Sequence, residues 1–101
     1  MEKRVAHCHL LAKLLASDMI MTEEERNFLD RTMTSLELTE EERDAVLHFE
    51  HAEEAEATMR ALPMADRQAV LDDLVGAALA DGQLTPAENA LVKKIAESLG
   101  L

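Results

Sequence analysis

The sequence predicts an all-α fold: a compact single-domain bundle of about six helices over residues 1–101, built from two pseudo-repeated helix–acidic turn–helix halves. Three observations lead there. Apolar residues recur at three- and four-residue steps along most of the chain, and no β-rich run interrupts them. Thr22/Glu25, Thr39/Glu42 and Thr85/Glu88 each have the threonine-to-glutamate spacing of a capping box, so three helix starts can be read directly. An internal repeat at an offset of 63 residues pairs Leu11 with Leu74, Asp18 with Asp81, Thr22 with Thr85 and Glu25 with Glu88, then Ser35, Leu36 and Leu38 with Ser98, Leu99 and Leu101.

Each element follows from local chemistry. Residues 2–16 place Val5, Cys8, Leu11, Ala12 and Leu15 on one helical face, flanked by Leu10 and Leu14. Thr22 caps a second helix to about Leu36, with Phe28, Leu29, Thr32, Met33 and Leu36 inward. Thr39 caps a third that carries Ala45, Val46, Leu47 and Phe49 toward the core and ends or bends within residues 48–54. The acids after each threonine suit the positive end of a helix without any further role. A short fourth helix turns Ala55, Met59 and Leu62 inward until Pro63 interrupts it. The fifth, residues 64–80, is the longest and most apolar, which marks it as the central helix, with Gly76 letting neighbours approach. Asp81-Gly82 ends it in a turn, Thr85 and Pro86 start the last helix, and Leu91, Val92, Ile95, Ala96 and Leu99 face inward.

Composition narrows the function. Lys and Arg number 10 against 21 Asp and Glu, a formal charge of −11 that repels nucleic-acid backbones and anionic lipid headgroups. Cations or a basic protein face are the natural partners, although solubility alone accounts for the charge equally well. No apolar run is long enough for direct membrane insertion, no signal-peptide pattern opens the chain, and the lone Cys8 excludes an internal disulfide. These features fit a cytoplasmic setting. There is no phosphate loop, nucleophile elbow or histidine–carboxylate–nucleophile set, so no enzyme is expected.

Two carboxylate or imidazole sets are candidate metal sites. Asp81 and Glu88, with Asp18 and Glu25 brought near by pseudo-symmetry, offer the oxygen donors that a hard divalent cation takes. A calcium EF-hand loop is excluded, because its first and third positions fall on Ala77 and Leu79, and in the earlier copy on Leu14 and Ala16. An Asx-type turn would explain Asp81 with no ligand at all. His48, His51 and Glu54, spaced by three, would share one face if a helix ran through them and would suit a transition metal; a solvated helix face explains the same residues. His7 and His9 are two apart and diverge on a helix, so Cys8 between them reads as a core residue.

Ala80-Asp81-Gly82-x-Leu84-Thr85-x-x-Glu88, the aliphatic positions after it and Leu99-Gly100-Leu101 resemble the TerB-like family, named for a tellurite-resistance protein and similar to the N-terminal domain of a membrane-anchored DnaJ-type co-chaperone. The resemblance covers most of the chain. It implies an all-helical domain of two related halves, acidic residues that bind divalent metal, tellurite or other chemical stress as the setting, and membrane-linked complexes as partners. Asp81 and Glu88 match the motif directly. Asp18 and Glu25 carry over through the internal repeat, where Met19 stands in place of Gly82.

Overall fold

Six helices follow one another in the computed structural model, which describes residues 1–17, 21–79 and 85–101: α1 Lys3–Leu15, α2 Glu23–Ser35, α3 Glu40–Leu47, α4 Ala52–Arg60, α5 Met64–Leu79 and α6 Pro86–Ser98. No strand occurs among the described residues. The radius of gyration is 12.4 Å, close to the ~13 Å of a compact 100-residue domain.

The centre of the bundle is α1, not α5. Nine of its 13 residues are buried, and it touches every other helix, α4 most extensively. Leu10, Leu11, Leu14 and Leu15 supply bulk, while Ala6, Cys8 and Ala12 are small enough for neighbours to close in between them. Each fully buried leucine contributes about 1.5–3 kcal/mol of transfer energy. Length and apolarity pointed to α5, but only Val70, Leu71, Leu74 and Ala78 of that helix are buried; Val75 is half-buried and Leu79 is 44% exposed. Gly76 has nothing within 4 Å of where a Cβ would stand, so it serves no close approach. A helix lying on the outside of the bundle needs only one apolar stripe, whereas one enclosed on all sides needs several.

The 63-residue repeat is structural down to single hydrogen bonds. Shifted by that offset, the 13 residues of α2 become the 13 residues of α6. Both begin in a complete capping box. Both end in the same two bonds past the C-cap: Glu37 N–H to Thr34 O and Leu38 N–H to Met33 O in the first half, Gly100 N–H to Glu97 O and Leu101 N–H to Ala96 O in the second. That is a Schellman end, which places one residue in the left-handed region: Glu37 at φ +57° and Gly100 at φ +74°.

Arg4 and Arg67 extend the repeat. Arg4 Nη1 donates to the carbonyls of Leu36 and Glu37, both at 3.1 Å, and Arg67 Nη1 donates to that of Leu99 at 3.0 Å. In each half an arginine from the first helix thus satisfies the carbonyl end of the second. Arg67 further donates to Leu62 O at 2.8 Å and to Arg60 O, tying the end of α4 to the same point.

Between the halves, α3 ends at Leu47 in a third Schellman turn with Phe49 at φ +57°, and α4 starts after His51 at φ +62°. Phe49 therefore leaves the helical face it was expected to share with Val46 and is 50% exposed. Ala55 and Met59 of α4 pack on α1, as their spacing predicts. Lys13 Nζ on α1 meets Glu56 Oε1 on α4 at 3.0 Å, and Glu56 Oε2 accepts from Ser98 Oγ on α6 at 3.3 Å.

Candidate functional site

Three helices start in one chemical device, and the differences among the three single out a site. In each box the threonine Oγ1 accepts from the glutamate N–H, at 3.1 Å for Glu25, 3.2 Å for Glu42 and 3.1 Å for Glu88. In return the glutamate Oε1 accepts from the threonine N–H, at 3.1, 2.8 and 3.1 Å. Each box is worth about 1 kcal/mol of helix stability. It also fixes one carboxylate oxygen and leaves the other available.

Glu42 has a cation beside it: Arg4 Nη1 lies 3.6 Å from its Oε1. The Thr39 backbone amide chiefly holds the Glu42 carboxyl below the usual carboxylate range; burial opposes it, and Arg4 adds a smaller lowering. Glu25 and Glu88 have no ion pair among the described residues. Glu88 is also only 8% exposed, the one buried carboxylate among the described residues. Its Oε1 accepts the Thr85 amide, and among the described residues no carboxylate oxygen is both buried and without a partner. The two boxes without a counter-charge are the two that follow the acidic turns.

Asp18 and Asp81, with Met19 and Gly82, lie outside the described residues, so of the four expected oxygen donors the structure places Glu25 and Glu88. These sit in the first turns of α2 and α6, the helices that follow α1 and α5 in the chain. Carbonyl-rich helix ends favour positive charge nearby.

Of the histidine set, the structure pairs His51 with Glu54, and no three-residue metal group forms among the described residues. The spacing argument assumed one helix through His48, His51 and Glu54, but the chain breaks at Phe49. His48 caps the end of α3 with its Nδ1 2.8 Å from Asp44 O, while His51 stands before α4 with Nδ1 3.4 Å from Glu54 Oε1. Among the described residues no three His, Cys, Asp or Glu side chains are grouped to hold a metal ion.

His7 and His9 do diverge. His9, 4% exposed, borders a groove with His51 and Glu54, and burial lowers its pKa, helped by the charge of His51 and opposed by Glu54. His7 faces a different groove, between α1, α2 and α5. Burial lowers its pKa as well, opposed by Asp73 and helped by Lys3. Cys8 between them is fully buried, and burial pushes its thiol up to about 11, so it is a core group rather than a ligand or nucleophile.

Sequence reasoning missed Arg4 and Arg67, although they stand 63 residues apart like the matched leucines and threonines, so the repeat itself carried the signal.

An acidic all-helical bundle of two capped, repeated halves is the class of protein these features define. A family model described as "Tellurite resistance protein TerB" matches residues 4–101, and the chain belongs to that family. The curated proteins and the solved structures gave no match. No helix among the described residues is long and apolar enough to cross a membrane.

Proposed function

We propose that this TerB-family chain is a non-enzymatic cytoplasmic protein that binds a divalent cation through its acidic inter-helix turns, Asp81 with Glu88 and Asp18 with Glu25. The family's tellurite-resistance description suggests chemical stress as the setting. The observation that carries the reading is the contrast among the capping boxes: Glu42 has Arg4 beside it, whereas the more deeply buried Glu88 has no cation among the described residues. A metal ion would bridge the remaining Glu88 oxygen and the turn. Carboxylate oxygens favour calcium, magnesium or manganese over softer ions. The formal charge of −11 raises the local concentration of any cation.

Melting followed by circular dichroism with each ion tests this. A binding ion raises the midpoint of the wild type by mass action. In Asp81→Asn that shift disappears while the apo protein still folds. Equal shifts in the variant and the wild type, or none with any ion, would refute the proposal.

A second reading rests on a different observation. The groove beside His9 is rimmed by Glu41, Glu50 and Glu54, all exposed, which suits a basic protein partner, including one in a membrane-associated complex, with no metal required. Such a partner would stay bound in chelator and be released by salt.

A further inference from the structure

The groove faced by His7 is more basic than the chain as a whole. It has a volume of about 520 Å³, within the range of small-ligand sites. Its lining holds three of the chain's 10 Lys and Arg, Lys3, Arg4 and Arg31, but only one of its 21 Asp and Glu, Asp73. In a chain with twice as many acids as bases, that ratio is reversed.

The cations are not all committed. Arg4 is held by Glu2 at 2.7 Å and by the end of α2. Lys3 and Arg31 are exposed and have no ion pair among the described residues. Beneath them Phe28 and Leu36 are half-buried against the core and give the groove an apolar floor. Thr32 Oγ1 is spent on Phe28 O at 3.0 Å, whereas the exposed Ser35 hydroxyl has no hydrogen-bond partner among the described residues.

We infer that this groove between α1, α2 and α5 binds a small amphipathic carboxylate, its acid group held by Arg31 and Lys3 and its hydrocarbon part against Phe28 and Leu36. An arginine takes a carboxylate in paired hydrogen bonds, and a lysine adds a point charge. Asp73 lines the same groove as His7.

The probe is octanoate, followed by ¹⁵N-resolved NMR on the full chain. Saturable shifts are expected at residues around His7, Phe28 to Leu36 and Asp73. Arg31→Glu weakens binding by at least about tenfold, the loss of one charge-assisted contact. Lys3→Glu, at the exposed start of α1, acts in the same direction and serves if the first variant is perturbed. 1-Octanol, which carries the chain without the charge, gives no saturable shifts. Absence of saturable octanoate shifts, equal affinity in both variants, or equal binding of 1-octanol would each overturn the inference.

Discussion

Glu37 and Gly100 occupy the same place in the two halves: each is the left-handed residue that closes a 13-residue helix, at φ +57° and +74°. One half uses the residue that tolerates this conformation, and the other bears the strain of a side chain. Glu37→Gly is therefore expected to stabilise the protein by about 0.5–1 kcal/mol. Gly76 presents the reverse case, exposed in the last turn of α5 with open space around it. Gly76→Ala should add a similar ~0.5–1 kcal/mol. Urea denaturation of both variants checks the pair, and a loss of stability in either would contradict the assigned backbone conformation.

The central position of α1 predicts an asymmetry between two leucines of similar helical context. Leu14 is fully buried, and Leu14→Ala should cost about 2–5 kcal/mol. Leu79→Ala, at a side chain 44% exposed, should cost well under ~1 kcal/mol. Equal costs in urea denaturation would restore α5 as the centre.

His7 and His9 predict a pH dependence whose sign is fixed. Both have folded pKa values below 6.5, chiefly through burial, so near and below that pH the unfolded chain binds more protons than the folded one. Their neutral forms are retained on folding, and stability falls as pH drops through 6.5 toward the lowered values. The urea midpoint should decline between about pH 7.5 and about pH 5, and a His7→Gln/His9→Gln variant should show a shallower decline. An unchanged slope in that variant would place the titration elsewhere.

Helix starts were legible because a threonine, a glutamate and their spacing determine them locally. Helix burial was not, since it depends on what packs against each face: α5 is longer and more apolar, yet α1 is the helix surrounded by neighbours. An end or bend within residues 48–54 was expected, but not its exact place. Phe49 adopts a conformation usually marked by glycine, so no residue there announces the turn that separates His48 from His51. The acidic turns were the most conspicuous motif, and of their four proposed ligands the described structure places Glu25 and Glu88. What no sequence pattern could show is that Glu42, in a box of the same spelling, has an arginine beside it and Glu88 has none.

That contrast sets the measurement closest to the central claim: calorimetric titration of calcium and manganese into the wild type, Glu42→Gln and Glu88→Gln. Glutamine keeps each capping box, because its carbonyl can still accept the threonine amide. Saturable binding is predicted in the wild type and Glu42→Gln, with affinity reduced at least about tenfold in Glu88→Gln. Undiminished binding in Glu88→Gln, or no binding in the wild type, would contradict a cation site at the acidic turn.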